Sequence, residues 1–174
     1  MAMTEWSPRR YRAVMAVRRP RPGDGYGSKP LDTIDLRIVG ELQTDARTSL
    51  AELGRRVGLS APAVADRVQR LEETGVITGY HAAVDPEALG FPLTVIVRIS
   101  PAVREIPRVA KIAIDIPEVV ECHRITGEDC FVLKVCLRAI GDLEGILDLF
   151  TPFGRTTTSV VQSSPVPCRP LPLD

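Results

Sequence analysis

From Leu31 onward, apolar positions return every three or four residues. Leu31, Ile34, Ile38 and Leu42 fall on one face, which predicts a helix. Asp32 stands at its N-cap position, with Asp35 favourable in the first turn. Ser49-Leu50-Ala51-Glu52 has the form of a capping box and opens a second helix with Leu50, Leu53 and Val57 on its inner face. Gly58 ends that helix, because glycine takes the left-handed backbone at low steric cost. Ser60 caps a third helix, Pro62 is tolerated in its first turn, and Val64, Val68 and Leu71 form its apolar stripe. Gly75 stops it.

Beyond Gly75 the pattern shortens. Val76 to Tyr80 reads as a strand or wing, and Asp85-Pro86 with Leu89-Gly90 marks a turn and a domain boundary. A strand is expected over Leu93 to Ile99, then a helix over Ile106 to Ile116 with Val109, Ile112 and Ile116 on one face. Strands follow at Val119 to Thr126 and Phe131 to Leu137, joined by a turn at Gly127-Glu128-Asp129. A helix over Leu143 to Phe150, capped by Asp142, and a strand over Thr156 to Gln162 complete a β-α-β-β-α-β order, the ferredoxin-like arrangement. The fold class is therefore α+β, an N-terminal winged helix-turn-helix domain followed by a C-terminal ferredoxin-like domain. Its parts are an arm (1–30), the helical domain (31–80), a linker (81–90), the mixed domain (91–163) and a tail (164–174) whose prolines keep it out of a central strand.

Residues 49–74 carry the sharpest local motif. Two short helices joined by a three-residue turn cross closely and tolerate little side chain at the crossing, which Gly54 supplies. Small residue, glycine, then two apolar positions at these offsets is the helix-turn-helix pattern. With Val64, Val68 and Leu71 inward, the outward residues are expected to be Ser60, Ala61, Ala63, Asp66, Arg67 and Arg70. Arg67 and Arg70 are candidates for base or phosphate contact, and Asp66 for a cytosine amino group. Arg47, Arg55 and Arg56 are phosphate candidates. A bundle without ligand, with Arg70 paired to Glu72 or Glu73, is the plain alternative.

Charge refines this picture. Formal net charge is zero over 174 residues, with 22 basic and 22 acidic groups, but residues 1–30 carry +5, residues 31–80 carry −2 and residues 81–174 carry −3. A net −2 on the helical domain is poor for non-specific attraction to phosphates. The basic arm can offset it by lying along the backbone or entering a minor groove. Gly23, Gly25 and Gly27 in that arm follow no strand, so they read as linker and not as a nucleotide loop. Met15 is an alternative start.

Other classes fall away on composition. No run reaches the ~18 apolar residues of a membrane span. The Ser7-Pro8-Arg9-Arg10 segment is followed by only five apolar residues, too few for an export signal. Cys122, Cys130, Cys136 and Cys168 form no C-x-x-C pair, so neither a zinc site nor any other metal site is expected, and reduced cytoplasmic thiols are. Self-association is expected for two reasons. A helical unit of about fifty residues is marginal alone, and the strands at 93–99 and 131–137 promise an apolar second sheet face.

The residues resemble a known family. Leu31-Asp32-x-x-Asp35-x-x-Ile38, Leu50-Ala51-Glu52-Leu53 and Val57-Gly58-Leu59-Ser60 are similar to the leucine-responsive regulatory protein/AsnC family of transcription regulators. So are Val64-x-x-Arg67-Val68-x-x-Leu71-Glu72-x-x-Gly75-Val76-Ile77, Gly79-Tyr80, Val84-Asp85-Pro86, Pro117-x-Val119-x-x-Cys122 and Thr126-Gly127. The resemblance implies double-stranded DNA as a partner, homodimers assembling into larger oligomers such as octamers, and an amino-acid effector rather than a cofactor. It places the effector at the turn Ile125, Thr126, Gly127, Glu128, Asp129 and Cys130. Family members usually carry glycine, any residue, an aromatic and then aspartate; here Asp129 and Cys130 hold the last two places.

Two alternatives share this architecture. A tetrapyrrole (sirohaem) decarboxylase needs histidine or arginine beside a substrate carboxylate, and His81 and His123 are the only histidines, neither with a carboxylate partner visible in sequence. A metabolite sensor would assemble with ligand but leave DNA alone. The expectation is a DNA-binding regulator with no catalytic residue.

Overall fold

A computed structural model describes residues 30–173. The arm expected over residues 1–30, Pro30 apart, lies outside the described residues. The chain divides into two compact units, one running to Ala82 and taking up the chain again from Val166, the other Ala83–Pro165.

The first unit holds α1 (Thr33–Thr44), α2 (Leu50–Val57) and α3 (Ala61–Glu73). Asp32 caps α1 more fully than expected. Its carboxylate accepts the Asp35 N–H at 2.8 Å, and the Asp35 carboxylate accepts the Asp32 N–H at 3.1 Å, a reciprocal box. Ser49 delivers only half of one. Its hydroxyl accepts the Glu52 N–H at 3.2 Å, but the Glu52 carboxylate turns to Arg55 and Arg56. Ile38, Leu53, Val57, Val64 and Leu71 form the core, clad by Ile34, Leu42, Leu59, Val68, Val76 and Ile77. Leu50, expected inside, stays exposed at the first position of α2.

The α2–α3 crossing is as tight as its glycine implies. A Cβ on Gly54 would sit 2.6 Å from the Leu59 carbonyl oxygen, and Gly58 turns the chain at φ 78°. The strand or wing expected at Val76–Tyr80 does not form. The N–H groups of Val76 and Ile77 both go to the Leu71 carbonyl, at 2.9 and 3.0 Å, so these donors close α3 and leave nothing for a ladder. The proline-rich tail joins no strand and packs on α1: the Leu171 N–H donates to Gln43 Oε1 at 2.9 Å, and the Leu173 side chain lies over Gly40.

The second unit is a four-stranded antiparallel sheet in the order β2-β3-β1-β4, with two helices. Its elements are β1 (Leu93–Pro101), α4 (Ile106–Asp115), β2 (Val119–Arg124), β3 (Phe131–Leu137), α5 (Asp142–Phe150) and β4 (Gly154–Val160), with short 3-10 turns before α4 and after α5. The expected order is therefore present. One sheet face buries Val95, Val97, Ile99, Phe131, Leu133, Val135 and Leu137 against Val109, Ala113, Ile146 and Phe150. Asp142 is the first residue of α5 and not its cap; its carboxylate accepts the Ala139 N–H at 2.9 Å instead.

The second sheet face is less apolar than expected. Strand alternation and register place Ile96, Val132 and Cys136 there, but among Thr94, Arg98, Lys134, Glu121, His123, Thr157 and Ser159.

Gly54→Ala should destabilise the first unit by about 2–3 kcal/mol, because the added methyl meets backbone and not a side chain that can move away. Urea unfolding followed on this unit checks it. A neutral or stabilising effect, which alanine's better helix propensity alone would give, contradicts the close crossing.

Candidate nucleic-acid interface and effector turn

On α3, Val64 and Leu71 are fully buried and Val68 partly so. At about 100° per residue, Pro62, Asp66, Gln69 and Glu73 fall opposite that stripe. All four are exposed. Arg67 lies only about 70° round from the stripe and Arg70 about 130°, which brings both toward the start of α1.

There they meet two carboxylates. Arg67 Nη1 donates to both Asp32 oxygens, at 2.9 and 2.7 Å, and to Asp35 Oδ1 at 2.7 Å. Arg70 Nη2 donates to Asp35 Oδ2 at 2.6 Å. Asp35 is 0% exposed, so its charge is tolerated only because two guanidinium groups and a backbone N–H satisfy it. The expectation that Arg67 and Arg70 stand opposite the core is corrected: both are half-buried and fasten α3 to α1. Arg70 does not pair with Glu72, Glu73 or Asp66. Glu72 instead accepts the Tyr80 hydroxyl at 2.8 Å, and burial together with that carboxylate pushes the Tyr80 phenol up to about 12.

The Arg67 hydrogen bond, followed by the Asp35 N–H, pulls Asp32 down to about 2 from 3.8. Asp32 and then Asp35 push the Arg67 guanidinium above its usual range, so the Asp32–Arg67 pair stays charged at neutral pH. The signal for it was present in sequence as two acidic residues one helical turn apart at the start of α1, facing two arginines three apart on α3.

Of the other outward residues expected on α3, Ser60 and Asp66 are exposed, while Ala61 and Ala63 are half-buried. The Ser60 hydroxyl accepts the Ala63 N–H at 3.4 Å. Arg47, Arg55 and Arg56 are exposed. Arg55 leans on Glu52, and Arg56 bridges Glu52 and Glu41 at 2.7 Å each. The Arg47 guanidinium has no carboxylate partner among the described residues, while its backbone N–H donates to the Asp45 carboxylate at 2.8 Å. These are surface pairs of small net worth, which a phosphate can displace at little cost.

In the second unit, the turn between β2 and β3 is held at both ends. The Ile125 N–H donates to the Cys130 carbonyl and the Cys130 N–H to the Ile99 carbonyl, each at 2.9 Å, while the Ser100 hydroxyl donates to the Glu128 carbonyl. Ile125, Thr126, Gly127 and Glu128 are exposed; Asp129 and Cys130 are half-buried. Gly127 takes φ 116° with open space where a Cβ would stand. Among the described residues, the N–H groups of 126–129 find no protein acceptor. The Asp129 carboxylate lies 3.9 Å from Arg98 Nε. The displaced carboxylate is thus part of a charged pair beside an unspent set of donors.

His123 has a carboxylate neighbour that sequence did not reveal: Glu121 Oε2 lies 3.4 Å from its Nε2, and Lys134 first, then His123, lowers the Glu121 carboxyl. All four cysteines are free. Among the described residues no group of three or more His, Cys, Asp or Glu side chains is placed to hold a metal ion, and no helix is long and apolar enough to cross a membrane.

A glycine-crossed helix-turn-helix unit and a βαββαβ unit define a two-part regulator with separate DNA-binding and ligand-binding modules. The profile of the AsnC-type helix-turn-helix domain matches residues 31–72, and that of the Lrp/AsnC ligand binding domain matches residues 94–171. Among relatives, the uncharacterized HTH-type transcriptional regulator YezC of Bacillus subtilis is 40% identical over 134 residues, 77% of this chain and 95% of its own. LrpA of Mycobacterium tuberculosis is also 40% identical over 134 residues, covering 76% and 87%. The structure of B. subtilis LrpC superposes with a TM-score of 0.74 at 35% identity, over 78% of this chain and 97% of that one. The regulator NMB0573 of Neisseria meningitidis, in complex with L-Met, gives 0.76 at 26% identity, over 83% and 98%. The chain belongs to the Lrp/AsnC family of transcriptional regulators.

Two predictions follow from the carboxylate cluster. Asp35→Ala leaves two guanidiniums without their buried partner and should cost the first unit about 2–4 kcal/mol, toward the low side of a fully buried pair because both arginines keep some solvent; a loss under about 0.5 kcal/mol in urea unfolding contradicts the assignment. Asp32→Asn keeps a capping side chain and removes the charge. Because the Asp32 pKa is depressed in the folded state, its stabilisation is complete above about 4 and lost as pH falls through about 2. The gap in urea midpoint between wild type and Asp32→Asn should therefore narrow below about pH 4 and close as pH falls through about 2; a gap undiminished at pH 2 contradicts the ion pair.

Proposed function

We propose that this regulator binds double-stranded DNA as a homodimer, or a larger assembly such as an octamer, with α3 of each copy in a major groove and Arg47, Arg55 and Arg56 on phosphates. The observation that carries this reading is the α2–α3 crossing at Gly54, which leaves one face of α3 unpacked while the Asp32–Asp35–Arg67–Arg70 cluster locks its other flank. Ser60, Ala61 and Ala63 at the N-terminal end of α3 supply small side chains where a helix approaches the duplex. One half-site gives few contacts, so two copies on a twofold axis supply the discrimination a regulator needs. Ile96 and Val132 on the open sheet face supply an apolar centre for self-association.

The same reading makes an amino acid the small effector, received at residues 125–130. The unspent N–H groups around Gly127 suit an α-carboxylate, and Asp129 suits an α-ammonium once Arg98 yields it. The relative NMB0573 in complex with L-Met supports that chemical class. The protein is read as non-enzymatic and cytoplasmic. The relatives give no support to a decarboxylase.

The test is a gel shift on the chain's own upstream DNA at two salt concentrations, with and without pooled amino acids, alongside light scattering. A salt-sensitive specific shift by an oligomer, altered by amino acids, is expected. Arg47→Ala, Arg55→Ala and Arg56→Ala should each weaken binding on all sequences alike and lower the salt slope by about one. Gly127→Val should remove the amino-acid response and leave the basal shift intact. A monomer that shifts no DNA at low salt contradicts the proposal.

A further inference from the structure

Once Arg67 and Arg70 are committed to α1, the face α3 can present to a duplex has an unusual chemistry. Its exposed stripe is Pro62, Asp66, Gln69 and Glu73, without one basic side chain. Gln69 is not free to present both ends of its amide: its Nε2 donates to Glu73 at 2.8 Å, which leaves Oε1 as its unpaired acceptor among the described residues. Asp66, one helical turn earlier, has no recorded hydrogen-bond or ion-pair partner among the described residues and is acceptor-only when ionised. The stripe therefore offers acceptors.

In the major groove, guanine shows two acceptors, adenine an acceptor and an amino donor, cytosine an amino donor, and thymine an acceptor and a methyl. Acceptors on the protein select donors on the base. They also meet repulsion at the paired acceptors of guanine and at the phosphates, so this face cannot grip DNA without discriminating. We propose that α3 reads major-groove amino groups, with Asp66 taking the N4 hydrogens of a cytosine and Gln69 Oε1 an amino hydrogen of an adjacent adenine or cytosine, and that it makes no arginine-to-guanine contact. This rests on the DNA-binding reading above. It divides labour cleanly, since attraction comes from arginines outside α3 and selection from an acidic-amide edge on it.

The test is selection from a randomised duplex library with the full chain, comparing wild type with Asp66→Ala, Gln69→Ala and Arg55→Ala. Wild type should enrich a half-site with a cytosine at one position and adenine or cytosine nearby. Asp66→Ala should relax the cytosine preference at that single position about tenfold, within the range of one good base contact, without lowering the salt slope. Gln69→Ala should relax only the neighbouring position, and Arg55→Ala should weaken binding with preferences unchanged. As a check independent of protein variants, replacing the guanine paired to that cytosine by 7-deazaguanine removes its N7 acceptor; affinity should stay within about twofold. Enriched sites whose preferences ignore both α3 substitutions, or a tenfold loss with 7-deazaguanine, would overturn this inference and leave DNA binding standing. No enrichment by wild type at low salt overturns both.

Discussion

The DNA-binding unit is organised around one buried carboxylate. Asp35 sits without solvent at the start of α1, where it closes the capping box and receives Arg67 and Arg70 from α3. A charge in that position is costly unless it is fully partnered, so α1 and α3 have one favourable registration and not a range of them. The apolar core of Ile38, Leu53, Val57, Val64 and Leu71 supplies cohesion, but such contacts tolerate small slides. The ion cluster does not. An interface that must meet base edges to within a fraction of an ångström gains more from that rigidity than from a slightly larger core.

The same cluster decides how charge is spent. Residues 31–80 hold six basic and eight acidic groups, and two of the six are committed internally. The remaining exposed arginines near the turn, Arg47, Arg55 and Arg56, sit outside α3 or lean on carboxylates that phosphate can replace. On the proposed reading, affinity for nucleic acid rests on few contacts per copy, and self-association is assigned to the second unit. Its open sheet face is mixed, with Ile96, Val132 and Cys136 among charged and hydroxyl side chains, a surface suited to a partner that is matched in polarity as well as shape.

Much of the fold was legible because local rules were obeyed. Helical spacing, Ser60 as a cap, Gly58 as a left-handed turn and the β-α-β-β-α-β order all reflect physics acting within a few residues. Three features were not, each because a group outside the local pattern took over. Arg67 and Arg70 look outward on a coarse two-face reading, and only finer angular placement plus the carboxylates some 32–35 positions earlier reveal them as internal. Val76 and Ile77 have strand-like side chains, yet their N–H groups are consumed by the Leu71 carbonyl. The open sheet face reads as apolar from the runs at 93–99 and 131–137, whereas the register gathers Thr94, Arg98 and Lys134 there beside polar side chains from β2 and β4. The β2–β3 turn was legible through Gly127, but the Arg98–Asp129 pairing depends on a strand that sequence does not put beside it.

The most direct measurement is the structure of the full chain on a duplex it selects. Arg67 and Arg70 should remain within hydrogen-bond distance of Asp32 and Asp35, as at the present 2.7 and 2.6 Å, while Asp66 and Gln69 face base edges. Guanidinium groups of Arg67 or Arg70 swung away from those carboxylates and onto guanine or phosphate would contradict a clamp that holds the reading helix in place.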